Sequence, residues 1–309
     1  MQVSRGFPER ALFPSVLTIG NFDGVHRGHQ SLLRSLTDKA RVLDARSVVM
    51  TFEPHPAEFF SPARAPARLT PLREKLLLLA ESGLDRVQVC AFNRNLAHLS
   101  AQEFIDRLVC GMAIRHLVIG DDFRFGAQRA GDFALLAQAG KQYGFSVEAM
   151  PTLMLHGQRV SSSVVRQALA EGDLVRAADL LGRSYSIAGR VVHGKRIGHT
   201  LGFPTANILL KQRKPALLGV FAVWVEGLGV EPVRGVANVG LRPTVSHSAR
   251  PVLEVHFFDW QQSCYGAHLR VHFMHKLRAE KKFDSLEALK TQIGQDVVRA
   301  REWFSRNPI

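Results

Sequence analysis

His26 and His29 stand three residues apart in the run Val16-Leu-Thr-Ile-Gly-Asn-Phe-Asp-Gly-Val-His-Arg-Gly-His-Gln30. Imidazoles at that spacing can donate to phosphate oxygens and stabilise the charge that develops on a leaving pyrophosphate. Their surroundings suit an anion. Apolar Val16–Ile19 reads as a buried strand, Gly20 and Gly24 allow a sharp turn, and a helical pattern starts near Gly28, so the unpaired N–H groups of a helix start face whatever binds there. The same spacing suits two metal ligands, or polar residues that only begin a helix. No CxxC or HExxH accompanies the pair, and Cys90, Cys110 and Cys264 are far apart in the chain.

Three further groups carry chemistry. Ser161, Ser162 and Ser163 precede Val164-Val165-Arg166 at a helix start. There one hydroxyl caps the helix, another can bond a phosphate, and the Arg166 fork suits a triphosphate; an ordinary capped helix with a solvated arginine has the same pattern. Gly189-Arg-Val-Val-His-Gly-Lys-Arg196 nearly spells a GxxxxGK[ST] loop, but Arg196 stands where a hydroxyl is required and no helix follows. What remains is a Gly-rich loop, with Gly194, Lys195 and Gly198, able to bring backbone N–H groups to phosphate. Beyond it Thr205 and Asn207 fall on one side of an extended segment. They are two neutral oxygens that can complete a hydrated Mg2+ shell, or parts of a turn into a strand. Glu254 lies between Leu253 and Val255, where a carboxylate is costly unless it is paired or functional.

These residues need elements to hold them. The first half predicts strands at 16–20, 47–52, 86–91 and 114–120, a weaker one at 145–150, and helices near 28–43, 71–82, 101–110 and 131–143. That alternation is α/β: a mainly parallel, doubly wound sheet with ligands beyond the carboxyl ends of its strands. The second half predicts strands at 184–193, 219–225, 233–239, 252–259 and 268–274, forming an antiparallel sheet or small β-barrel, then a terminal helix at about 285–304. Short helices at 162–170 and 173–181 precede a boundary placed at 182, giving domains 1–182 and 183–309.

At 309 residues and 46% hydrophobic composition the chain can bury two cores. Its formal charge of +13 is unevenly spread: residues 1–182 hold 21 Lys/Arg against 18 Asp/Glu, residues 183–309 hold 19 against 9. Such a field attracts any polyanion, nucleotides included. No basic run with interleaved aromatics accompanies it, so no specific nucleic-acid partner is expected. The start lacks an apolar secretory segment, nowhere do eighteen apolar residues run together, and the cysteines are few and scattered. The expectation is a cytoplasmic chain with no membrane segment.

The His26–His29 segment resembles the HxGH signature of the nucleotidyltransferase superfamily. With Thr51-Phe-Glu-Pro-His-Pro56, Gly120-Asp-Asp-Phe-Arg-Phe-Gly126 and Ser161-Ser-Ser-Val-Val-Arg166 it resembles, in order, the signatures of the bacterial FAD synthetase family over residues 15–182. The resemblance implies transfer of AMP from ATP to FMN. It places Gly20, Asn21, Phe22, Asp23, His26 and His29 near ATP, Ser161, Ser162 and Arg166 on its phosphates, and Asp122, Phe123, Arg124 and Phe125 along the flavin. The family often has Ser-Ser-Thr-Arg in the third signature; here Val164 takes the place of the arginine.

Gly194-Lys-Arg-Ile-Gly-His-Thr-Leu-Gly-Phe-Pro-Thr-Ala-Asn207 resembles the riboflavin kinase signature. The likeness continues through Gly219-Val-Phe-Ala-Val223, Gly235-Val-Ala-Asn-Val-Gly-Leu-Arg-Pro-Thr244 and Leu253-Glu-Val-His-Phe-Phe-Asp259 to Leu277-Arg-Ala-Glu-Lys-Lys-Phe283. It implies Gly194, Lys195 and Gly198 at the nucleotide, Thr205 and Asn207 at Mg2+, Glu254 as the catalytic acid-base residue and Arg278 at the flavin or nucleotide. Together the halves resemble the bacterial bifunctional riboflavin kinase/FMN adenylyltransferases, with ATP, riboflavin and FMN as substrates and Mg2+ required in both steps. FMN made by the second half must then leave it for the first, unless protomers associate as a homo-oligomer and bring unlike sites together. A flavin- or nucleotide-binding regulator without turnover and a metal-dependent hydrolase using the histidine pair are the competing expectations.

Overall fold

Val16, Leu17 and Ile19 are apolar with no clean alternation, the mark of a strand buried on both faces, and this run forms the middle of a sheet. The computed structural model describes residues 1–194, 202–210, 214–242, 250–260 and 262–308. Lys195, Gly198 and Thr244 lie outside the described residues. Packing divides the chain into two units, Met1–Pro66 with Leu72–Ser161, and Ala67–Pro71 with Ser162–Ile309.

The first unit holds β1 (Gln2–Arg5), β2 (Ser15–Ile19), β3 (Arg46–Glu53), β4 (Arg86–Ala91), β5 (Ile114–Gly120) and β6 (Ser146–Met150) in the order β1-β4-β3-β2-β5-β6. Every pair is parallel. Around the sheet run α1 (Arg27–Val42), α2 (Pro56–Phe60), α3 (Leu72–Ala80), α4 (Arg94–Ala97), α5 (Ala101–Met112) and α6 (Phe133–Tyr143), followed by the small hairpin β7 (Met154–Leu155) and β8 (Gln158–Arg159). Leu17 and Ile19 of β2 join Phe104 and Leu108 of α5 and Leu136 of α6. Val16 joins Leu33 and Leu36 of α1 and Leu79 of α3 on the opposite face. The sheet is thus doubly wound, as its apolar runs require. Strand order reverses at β2, with β3 and β4 on one side and β5 and β6 on the other. A crevice therefore opens where β2 and β5 end, at Gly20 and Gly120.

In the second unit α7 (Ser162–Glu171) and α8 (Leu174–Leu181) precede β9 (Ser186–Val192), β10 (Ala206–Leu209), β11 (Gly219–Glu226), β12 (Val233–Arg242), β13 (Arg250–Phe257), β14 (His268–Arg278) and α9 (Leu286–Arg306). The strands close into an antiparallel barrel in the order β10-β13-β12-β11-β14-β9, sealed by β10 against β9. Phe221, Val223, Leu253, Val255, Leu269, Val271 and Phe273 are buried at alternating positions that fill the interior. On the outer face Val220, Ala222 and Val236 are covered by Ala300 and Phe304 of α9. The Ala67–Pro71 segment is held to this unit by its carbonyls: Leu69 O accepts from the buried Tyr185 hydroxyl at 3.3 Å and Ala67 O from Arg166 Nε at 2.6 Å.

A buried ion pair helps tie α9 to the barrel. Arg278 Nε and Nη2 donate to both oxygens of Asp296 at 2.8–3.0 Å, and Gln292 Nε2 donates to the same carboxylate. Asp296 is only 2% exposed, so its removal leaves a partly buried guanidinium without its counter-charge. Asp296→Ala is expected to destabilise this unit by about 3 kcal/mol. The measurement is tryptophan fluorescence during urea unfolding, because all three tryptophans, Trp224, Trp260 and Trp303, belong to this unit. An unchanged midpoint would show that the pair contributes nothing net.

Candidate functional site

The loop from β2 to α1 is built under constraint. Phe22 (φ 48°) and Val25 (φ 40°) both occupy the left-handed region that non-glycine residues avoid, with Gly24 (φ 87°) between them. Strain of this kind persists only where surroundings over-determine it, and here both side chains are buried among Leu33, Leu36 and Leu79. His26 is the N-cap of α1: its Nδ1 accepts the backbone N–H of His29 at 3.3 Å, which in the neutral ring puts the proton on Nε2. The two imidazoles stack at 3.7 Å between centroids, planes 15° apart, and Phe22 lies 5.0 Å beyond His29. Gly28 leaves room for this fold-back, since a Cβ there would lie 3.2 Å from the His26 ring. Asp23 is buried in the same loop.

Three buried polar atoms along this stretch, Thr18 Oγ1, Asn21 Oδ1 and His29 Nδ1, have no hydrogen-bond partner. Such orphans are uncommon in a finished core and call for an explanation; a ligand completing them is one. Burial, and then the charges of His26 and of Lys75 on α3, push the His29 imidazole well below its ordinary pKa. Lys75, itself only 2% exposed, is a neighbour that sequence reasoning missed, being one more cation in a charged helical turn. Among the described residues no cluster of three or more His, Cys, Asp or Glu is placed to hold a metal ion.

Across the switch point, the loop after β5 turns through a Phe123 N–H bond to Gly120 O. Phe125 is buried against Phe104 and pairs with Gly131, while Phe123, half-buried, stacks on it at 5.7 Å. Phe123 is therefore the ring of this pair that offers a surface. Asp122 forms an exposed ion pair with Arg159, and Arg124 donates to Phe123 O. Ser161 ends the first unit, and Ser162 opens α7 in the second. Arg166, half-buried on α7, is anchored through Nε to Ala67 O.

In the barrel, register makes the site. Asn207 of β10 is directly opposite Glu254 of β13, and Glu254 is directly opposite Asn238 of β12. Paired residues share a face, so Asn207, Glu254 and Asn238 form one polar row on the outside of the barrel. The row continues through Val220, paired to Asn238, and Arg278, paired to Val220. Asn207 is buried and its Oδ1 has no hydrogen-bond partner. Its amide fits only because residue 194 is glycine: a Cβ on Gly194 would lie 2.2 Å from Asn207 Nδ2. A buried neutral oxygen with nothing to accept is a suitable donor for a hard cation such as Mg2+, and half-buried Thr205 precedes it by two residues on the chain. Arg278 is engaged elsewhere, by Asp296, by Ala279 O and under the Phe283 ring. Its place is that of a strap on α9.

Two family models match the chain: FAD synthetase over residues 9–164 and riboflavin kinase over 181–304. Bifunctional riboflavin kinase/FMN adenylyltransferases of Escherichia coli K12 (50% identical, 98% of each chain) and Pseudomonas fluorescens (52% identical, 93% of this chain and 92% of that one) are similar almost throughout. The chain belongs to this bifunctional family. A solved structure of a Streptococcus pneumoniae protein described as a macrolide-efflux protein has a TM-score of 0.81 at 30% identity over 99% of both chains. Among the described residues of the present family member, no helix is long and apolar enough to cross a membrane.

Because the folded state lowers the His29 pKa, protonation of His29 favours unfolding, and the stability it contributes is lost as pH falls below the ordinary value of about 6.5. NMR titration of the imidazoles is expected to place the His29 midpoint below that of an exposed histidine. Replacing Lys75 by Met removes a nearby positive charge and is expected to raise it. A His29 midpoint indifferent to Lys75→Met would show that the lysine contributes nothing, leaving burial and His26 to set it.

Proposed function

We propose that this chain makes FMN from riboflavin and ATP on the barrel of its second unit, and FAD from FMN and ATP at the β2–α1 loop of its first. The observation that carries the reading is the register that sets Glu254 directly opposite Asn207 on the outer barrel face. The activities are assigned to residues 1–182 and 183–309, the domains read from the sequence, although packing groups α7 and α8 with the barrel.

The two reactions ask different things of the protein. A primary hydroxyl is a poor nucleophile, so phosphorylation needs a group to take its proton. Glu254 accepts the 5′-hydroxyl proton of riboflavin as that oxygen attacks the γ-phosphorus, and ADP leaves. The FMN phosphate is already anionic. Its oxygen attacks the α-phosphorus of ATP without a base, and the pyrophosphate that leaves is stabilised by donors. His26 Nε2–H and His29 supply them, and Ser161, Ser162 and Arg166 bind phosphate. Gly20, Asn21, Phe22 and Asp23 shape the nucleotide site, and Phe123, with Asp122 and Arg124, lies along the flavin. Lys195, Gly198 and Gly194 belong to the kinase nucleotide loop. Mg2+ on the ATP phosphates supplies charge neutralisation when bound, and Asn207 Oδ1 with Thr205 would hold it in the kinase site. The substrates are small molecules, and no nucleic-acid or membrane partner is proposed. The free thiols of Cys90, Cys110 and Cys264 accord with a cytoplasmic setting.

Chromatography of riboflavin, ATP and Mg2+ incubated with the pure protein is expected to show FMN and then FAD; formation of neither would overturn the reading. Glu254→Ala is expected to abolish FMN formation while supplied FMN is still converted to FAD, and loss of both would contradict separate sites. Gly194→Ala, which displaces the Asn207 amide, is expected to slow FMN formation at least tenfold, a loss of about 1.4 kcal/mol in transition-state stabilisation, with FAD formation from FMN intact.

A further inference from the structure

We propose that Asn238 reads the 4′-hydroxyl of riboflavin, the neighbour of the hydroxyl that is phosphorylated, and so fixes which hydroxyl meets Glu254. The inference rests on the kinase reading above and extends it to a residue that reading does not use.

Glu254 has one asparagine directly opposite it on each side, Asn207 on β10 and Asn238 on β12. The flanks differ. Asn207 is buried under Gly194, with an oxygen suited to the cation that accompanies the phosphates. Asn238 is half-buried: Val236, two residues away on β12, and Val220, its partner on β11, are apolar and lie beneath α9, while Gly240, two residues away on the other side, has the Glu280 carboxylate packed against it. Asparagine is disfavoured in strands, and an amide between a carboxylate and a helix-covered apolar patch has no packing rationale there.

In-line transfer puts the phosphoryl group and the carbon chain of the acceptor on opposite sides of the attacking oxygen. If Asn207 marks the phosphate side of Glu254, the acceptor chain runs toward Asn238. That chain carries a hydroxyl on the carbon next to the terminal one. Directly paired residues have Cβ atoms about 4.5–5.5 Å apart, a separation over which a carboxylate and an amide can engage two adjacent hydroxyls at once. Val220 and Val236 then provide the apolar border beyond the polyol.

The test compares riboflavin with 4′-deoxyriboflavin as substrates of the full-length wild type and of Asn238→Ala, by kcat/KM for phosphorylation. The wild type is expected to prefer riboflavin by at least about tenfold, as sites built to bond a hydroxyl do. Asn238→Ala is expected to lose that factor on riboflavin and little on the deoxy analogue, so that the preference collapses. The urea-unfolding midpoint of the same variant, followed by tryptophan fluorescence, checks that the barrel is folded, all three tryptophans lying in this unit; should it not be, Asn238→Ser is measured in its place. A variant that keeps the preference, an equal loss on both substrates, or a wild type that does not discriminate would each overturn the proposal. Glu254→Gln is measured in parallel. If it retains FMN formation, the base assignment fails, and that failure is read separately from the selectivity of Asn238.

Discussion

Leu253 and Val255 are fully buried inside the barrel. Successive side chains leave a strand on opposite faces, so their burial commits Glu254 to the outside. The same holds for Asn207, placed outward by the burial of Ala206 and Ile208 on either side. A slip of one residue in either strand would turn a carboxylate or an amide into an apolar interior, and the cost of that arrangement locks the register. The hydrophobic interior is therefore what aligns the polar row.

The first unit solves a different positioning problem. Its parallel strands are covered on both faces, so the apolar side chains of β2 are spent on packing. The candidate site lies instead at the strand's end, where the backbone passes through two left-handed non-glycine residues before α1 begins. Burial of Phe22 and Val25 compensates for that strain. It leaves the histidines stacked above a helix start, with unsatisfied polar atoms beneath them. A neutral His29 offers hydrogen bonds in place of a fixed charge, which suits a site that must release an anionic product.

Much of this was legible in the chain because it follows from local rules. The parallel strands announce themselves as short apolar runs, and α1 begins within a residue of Gly28, where its helical pattern starts. Other features depend on partners distant in sequence. β1 reads Gln-Val-Ser-Arg, too polar to signal a strand, and exists because β4 offers it an edge. β10 is four residues long and follows Pro204; pairing with β9 and β13 makes it a strand. Among the candidate residues, Glu254 stands out as a charge between apolar neighbours, whereas Asn238 and Lys75 carry no local pattern and emerge only from register and burial. Phe125 and Arg278 show the converse. Their types suggest a flavin site from the sequence, while their packing on Phe104 and pairing with Asp296 can be read only from the fold.

The segment Ala67–Pro71 is interleaved: it is encoded between α2 and α3 of the first unit yet packs as part of the second. Domain anatomy along the sequence and domain anatomy in space therefore disagree. A fragment cut to begin at residue 183 would retain Tyr185, which is 4% exposed, and lose the Leu69 carbonyl that its hydroxyl bonds. A buried hydroxyl stripped of its acceptor costs about 1–3 kcal/mol. Five residues translated far ahead of the barrel thus contribute to its hydrogen bonding.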